Sequence, residues 1–166
     1  KRFAALMWAD HSYAGGMAFD AQNKSVEKGC LHNAQIAHDV SPEELARIPA
    51  QGAVMVVSNH PYGMGEGLIQ SELAQEVRAD SKQIVNEILL AFPLLARRYI
   101  TVNVFETPEG IEANQASIRQ AMQWLRDGHL IATFPAGAVS HSTWKNSAVL
   151  DPPWNPSILM LARRTK

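Results

Sequence analysis

Between Ala53 and Phe134, strand-length apolar runs and helix-period segments follow one another in the order β-α-β-α-β-α-β, and few folds accept that order. The strand-like runs are 53–58, 82–85, 100–105 and 129–134. The segment 67–77 carries Leu68, Ile69, Leu73, Ala74 and Val77 at helical spacing. The segment 87–96 is helical in pattern, with Pro93 expected to kink or end it. The longest helix is expected over 109–126, with Ile111, Ile118, Met122 and Leu125 as its apolar stripe and Gly128 as its C-cap. The first run is continuous in apolar, largely β-branched residues, which suits a strand buried on both faces. The expected architecture is α/β, a mostly parallel sheet with helices on both faces.

Upstream, Ser41-Pro42-Glu43-Glu44 combines an N-cap, a first-turn proline and a capping-box glutamate, which predicts a short helix reaching Ile48. Residues 1–40 are hard to read, because Gly15-Gly16, Asp20 to Lys24 and Gly29-Cys30 interrupt any period. The domain proper is therefore drawn as 41–166, with 1–40 as a separate N-terminal segment. Downstream, the run from Ile158 reads as a helix with no glycine cap or following strand. With Lys1 in place of an initiator Met, the chain is expected to be part of a longer protein.

A chain of 166 residues, 46% hydrophobic, is long enough to bury a core. Fifteen Lys and Arg against sixteen Asp and Glu give a net charge of −1, so no nucleic-acid partner is expected. The single cysteine, Cys30, rules out an internal disulfide and suits a reducing compartment. The longest nearly uncharged apolar stretch, 88–96, falls far short of the roughly 20 residues that span a bilayer.

In open α/β sheets, ligands sit beyond the carboxyl ends of the strands. Two loops of unusual composition follow such ends: 58–67, holding Asn59, His60, Gly63, Gly65, Glu66 and Gly67, and 134–141, holding Phe134, Pro135, Gly137 and Ser140. The glycines allow a tight turn that brings Glu66 back towards His60. A histidine held by a carboxylate through one ring nitrogen keeps the other free as a general base. Neither loop supplies a strong serine or cysteine nucleophile, which favours direct activation of a substrate hydroxyl. The alternative is that Asn59 and His60 only satisfy loop backbone groups.

Other chemistries fit less well. Gly63, Gly65 and Gly67 follow G-x-G-x-G and not the dinucleotide pattern, and no P-loop or G-x-S-x-G elbow is present. Cys30, His32 and His38 have no regular metal-ligand spacing, so packing roles are expected and no metal is assigned. Ser140-His141-Ser142 reads as polar loop. Lys82, Arg97 and Arg98 flank strand starts or ends and are candidates to meet a phosphate or carboxylate head group.

Asn59-His60-Pro61 with an acid at position 66, followed by Phe134-Pro135-x-Gly137, resembles the PlsC-like glycerolipid acyltransferase superfamily. More closely, it looks like the hemolysin-like branch of that superfamily, which includes lyso-ornithine-lipid O-acyltransferases. The stretches 77–80, 86–89, 124–128, 151–155 and 161–164 add to the resemblance, which covers about 41–166. It implies acyl transfer from an acyl-carrier protein or CoA thioester to a lysolipid hydroxyl. His60 would be the base and Glu66 its partner, with Phe134, Pro135, Gly137 and Ser140 near the acceptor's polar head. No bound cofactor is implied, since the thioester is a co-substrate. The setting implied is cytoplasmic, peripheral on the inner face of a membrane. Position 66 carries Glu where the family has Asp, and position 138 carries Ala where the branch has Glu. The family's last strand would lie beyond Lys166. A non-catalytic lipid-binding relative and a thioesterase- or lipase-like hydrolase are the competing readings.

Overall fold

The computed structural model describes residues 2–22, 24–103, 107–144 and 146–165. Two helices come first, α1 (Arg2–Asp20) and α2 (Val26–Asn33), then the short α3 (Pro42–Leu45) and strand β1 (Val54–Val57). Helix α4 (Met64–Val77) leads to β2 (Ser81–Asn86), a 3₁₀ segment (Glu87–Ala91), α5 (Pro93–Ala96) and β3 (Tyr99–Val102). Helix α6 (Pro108–Arg126) precedes β4 (Leu130–Thr133), and a hairpin of β5 (His141–Thr143) and β6 (Asn146–Leu150) precedes α7 (Pro156–Arg164).

The four main strands form one parallel sheet in the order β1-β4-β2-β3. Alternate side chains of β4 face opposite layers, as strand geometry requires. Leu130 and Ala132 pack with Ala74 of α4, whereas Ile131 packs with Ala121 and Leu125 of α6 and Leu161 of α7. The molecule is thus an α/β sheet covered on both faces. β4, paired on both edges, is buried at all four residues. Among the described residues β1 pairs only with β4, and Val57 at its end is exposed, so the strand expected to be buried on both faces sits at the sheet margin. An apolar run does not encode which strand will flank it.

The expected boundaries hold to within a few residues. Ser41 and Glu44 form the capping box over α3. Pro93 separates the 3₁₀ segment from α5 and occupies the first helical turn of the latter. Helix α4 begins at Met64, three residues before the expected start. The last two positions expected in the third strand, 104 and 105, lie outside the described residues. The hairpin β5–β6, where a polar loop is expected, pairs His141 with Leu150 and Thr143 with Asn146.

The segment 1–40 differs most from its reading. Gly15, Gly16 and Gly29 do not interrupt helices; they let α1 and α2 touch. A Cβ at Gly16 would lie 2.6 Å from Cys30 Sγ and 2.9 Å from a Val26 methyl, and one at Gly29 would lie 2.8 Å from Phe19. The pair covers the outer side of α4, with Val26, Cys30 and Leu31 packed with Leu68, Leu95 and Tyr99. Sandwiched this way, α4 buries polar groups that must be paired. Glu27 of α2, fully buried, accepts from Ser71 Oγ at 3.1 Å and Gln75 Nε2 at 2.7 Å. Burial and the adjacent Glu27 push the Cys30 thiol up to about 11, so it is held protonated.

At the amino ends of the strands, the buried Arg78 guanidinium donates to the carbonyls of Gly52 and Gly128 and to both carboxylate oxygens of Asp80. His129 Nδ1 lies 2.8 Å from Asp80 Oδ2, and the Trp124 indole donates to the Asp80 carbonyl. One side chain thereby ties together the segments entering β1, β2 and β4.

Candidate functional site

The site is built at the carboxyl ends of β1 and β4. The chain leaves β1 through Ser58 and Asn59, turns at Pro61, and enters α4 at Gly63, whose φ of +77° is a conformation that favours glycine. Glu66 occupies the third position of α4, from which its carboxylate reaches back over the helix start. Its Oε1 accepts from the backbone N–H of Tyr62 at 2.7 Å and of Gly63 at 2.8 Å. Negative charge is favoured there by the helix dipole as well as by these donors.

The same Oε1 lies 2.8 Å from His60 Nδ1. A carboxylate that already accepts two N–H groups is an acceptor only, so Nδ1 donates to it, and in the neutral ring Nε2 presents the lone pair. Nε2 has no hydrogen-bond partner among the described residues. The imidazole stacks on Phe134 from the loop after β4, with centroids 4.1 Å apart and planes 19° from parallel. It is 18% exposed, enough for an incoming group to reach it. The second Glu66 oxygen, Oε2, is buried and has no hydrogen-bond partner among the described groups.

The two loops are joined through the backbone of His60. Its carbonyl accepts from Ser140 N–H at 2.8 Å, and its N–H donates to Asp151 Oδ1 at 3.0 Å. The Ser140 hydroxyl also donates to Asp151 Oδ1, and the Trp154 indole donates to Oδ2 at 2.8 Å. Asn155 N–H donates to the Pro135 carbonyl at 2.9 Å. Burial pushes the Asp151 carboxyl up, but the hydrogen bonds from His60, Ser140 and Trp154 outweigh it and hold the group below its ordinary value.

His60, Glu66, Gly63, Phe134 and Ser140 are therefore brought together, with Gly67 across from the Phe134 ring; Pro135, next in the chain after Phe134, is buried. Asn59, two residues past the end of β1, is exposed, Gly65 is buried in the first turn of α4 against Ile36, and Gly137, with φ +67°, turns the second loop. Gly137 N–H donates to the Phe134 carbonyl.

Lys82, Arg97 and Arg98 do not join this group. Lys82 is the second residue of β2, and Arg97 and Arg98 immediately precede β3, so all three lie at the amino end of the sheet, opposite His60. They flank a cavity of about 300 Å³ there. Lys82 Nζ sits 4.3 Å from the centre of the Trp124 ring, Arg97 faces Asp20 at 3.9 Å, and Arg98 faces Glu27 at 3.8 Å. The potential metal ligands are also dispersed: Cys30 faces α1, His32 packs near Phe19, and His38 pairs with Glu72 at 3.1 Å. Asp151 has no visible role in the sequence, because it reaches His60 from 91 positions away.

Comparison with protein families finds a match over residues 10–166 to the family described as Acyltransferase. The match takes in most of the N-terminal helix pair as well as the sheet. No curated protein matches the chain.

Proposed function

Because the chain belongs to the acyltransferase family, we propose that it transfers a fatty acyl group from a thioester of acyl-carrier protein or CoA to a hydroxyl of a lysolipid acceptor. The observation that carries this reading is the His60 Nδ1 to Glu66 Oε1 contact of 2.8 Å, which leaves Nε2 as the one ring nitrogen able to take a proton. In the reaction, Nε2 takes the acceptor's hydroxyl proton as that oxygen attacks the thioester carbonyl. The tetrahedral intermediate then collapses, and the thiolate leaves with the proton held by His60. Glu66 fixes the tautomer and stabilises the imidazolium formed in between. The scheme needs no bound cofactor, as the thioester is itself a substrate.

Glu in place of Asp is compatible with this role. Starting from the third position of α4, the longer side chain spans both the helix start and the imidazole. The oxyanion calls for N–H donors. Those of Gly63, Gly67 and Gly137 already have acceptors, which leaves the first-turn N–H groups of Met64 and Gly65 as candidates.

The branch proposed is the hemolysin-like one, with lyso-ornithine-lipid-type acceptors. No described helix is long and apolar enough to cross a membrane. The proposed setting is peripheral, on the inner face of the cytoplasmic membrane, where a lysolipid acceptor resides. The exposed Tyr62, Val139 and Trp144 lie on the loops and hairpin that follow β1 and β4, and such side chains suit a lipid interface.

The test is mass spectrometry of products after the purified protein is offered palmitoyl thioesters of CoA and acyl-carrier protein with a lysolipid panel. The expected result is an acylated lipid from the wild type and none from the folded variant His60→Ala. Free fatty acid without acylated lipid would replace the reading with a hydrolase. Lysolipid binding without turnover would replace it with a binding protein.

A further inference from the structure

We infer that Asp151 is a positioning residue for His60, holding the backbone of the proposed base in register through a clamp shared with Ser140. The inference rests on the proposed role of His60. Only two side-chain contacts hold the ring itself among the described residues. The imidazole is held by Glu66 at Nδ1 and by the face of Phe134, but neither contact sets how far the ring projects from the end of β1. The backbone does. Both polar groups of the His60 main chain are engaged by the loop and hairpin region after β4: Ser140 N–H binds the carbonyl and Asp151 Oδ1 binds the N–H.

Asp151 is itself oriented from two sides. The Ser140 hydroxyl donates to the oxygen that holds His60, and the Trp154 indole donates to the other. Three residues, His60, Ser140 and Asp151, therefore close one ring of bonds, and Trp154 braces the carboxylate from outside it. The Ser140 hydroxyl, expected to face the acceptor's head group, is directed into this ring. The carboxylate is also the second negative charge near His60, Glu66 on α4 being the first. Among the described residues no cation is paired with Asp151, so no ion pair offsets its charge.

A displaced catalytic group costs far more than the bond that held it, since a shift of about 1 Å lowers rates about 10²-fold. The experiment compares wild type, Asp151→Ala, Asp151→Asn, Ser140→Ala and His60→Ala in acyl transfer from whichever palmitoyl thioester the wild type uses, across pH. Asp151→Ala is expected to lose about 10²-fold in kcat with KM changed less than about twofold. Asp151→Asn keeps an acceptor oxygen for the clamp but lacks the charge. It is expected to retain about tenfold more activity than Asp151→Ala and to move the acidic limb of the pH–rate profile to lower pH. The sign follows from the loss of a negative charge that favours the protonated ring.

An Asp151→Ala enzyme within about threefold of wild-type kcat, or an Asp151→Asn enzyme with an unmoved acidic limb, overturns the inference. If Asp151→Ala fails to fold, Asp151→Asn and Ser140→Ala decide the question. A fully active His60→Ala would instead overturn the acyltransfer scheme, so the two failures are distinguishable.

Discussion

A single oxygen of Glu66 binds both the imidazole of His60 and the backbone that opens α4. That oxygen serves both partners only because the side chain is long enough to reach the ring from the third position of α4. Glu66→Asp draws the carboxylate back by one methylene, so it is expected to keep the helix start and lose the ring. Steady-state acyl transfer should fall at least about tenfold, with circular dichroism unchanged. Glu66→Gln keeps the length but presents a neutral amide, and a fall of up to about 10⁴-fold is expected, as for other amide replacements of a histidine-orienting carboxylate. An Asp variant as active as wild type would place the orienting group elsewhere.

The α1–α2 contact makes a second expectation. Gly16→Ala adds a Cβ that would lie 2.6 Å from Cys30 Sγ and 2.9 Å from Val26 Cγ1. Overpacking of this kind costs about 1–3 kcal/mol, against a gain of about 1 kcal/mol in helix propensity. Denaturant unfolding should show a net loss. Gly67→Ala is the control, because its Cβ would meet only Phe134 at 3.9 Å, an ordinary contact. That variant is expected to be unchanged or more stable by up to about 1 kcal/mol.

What could be read in advance divides along the range of the interactions. The capping box at Ser41 and Glu44, the proline break at Pro93 and the loops after β1 and β4 are local patterns, and each is legible. The pairing of His60 with Glu66 spans six positions and is legible for the same reason. Gly15 and Gly16 are misread alone, because their meaning depends on Gly29 across the helix interface. The margin position of β1 depends on which strand pairs with it. Asp151 depends on a contact across 91 positions. Lys82, Arg97 and Arg98 were separable from the start: the strand-end rule that selects the two loops excludes residues at the beginning of β2 and just before β3.

Asp80 carries a pH dependence of known sign. The Arg78 guanidinium, chiefly through its hydrogen bonds, holds the Asp80 carboxyl down at about 2 against the opposing effect of burial. An unfolded aspartate titrates near about 3.9. The stabilisation is therefore fully present above about pH 4 and is lost as pH falls towards about 2. Asp80→Asn should flatten part of the acid limb of a stability–pH curve measured by denaturant unfolding, with Asp151 contributing to what remains, since its carboxyl is also held low. An acid limb of unchanged steepness would mean that the Arg78 pairing contributes nothing to stability.

Lys82 and Arg97 provide the sharpest spatial test. Their charges attract anionic groups in general, but the parallel register puts them at the amino ends of β2 and β3, while the imidazole of His60 lies beyond the carboxyl end of β1. Each also has a partner in the fold, the Trp124 ring for Lys82 and Asp20 for Arg97. Arg97 is largely exposed, and exposed pairs of this kind contribute about 0–1 kcal/mol. Lys82→Ala and Arg97→Ala should therefore fold as wild type and change kcat/KM for acyl transfer by less than about twofold, well below the effects expected at Glu66. A loss of tenfold or more in either, with unchanged thermal unfolding, would mean that a substrate reaches from one end of the sheet to the other, and the acyl donor would then have to be placed along that path.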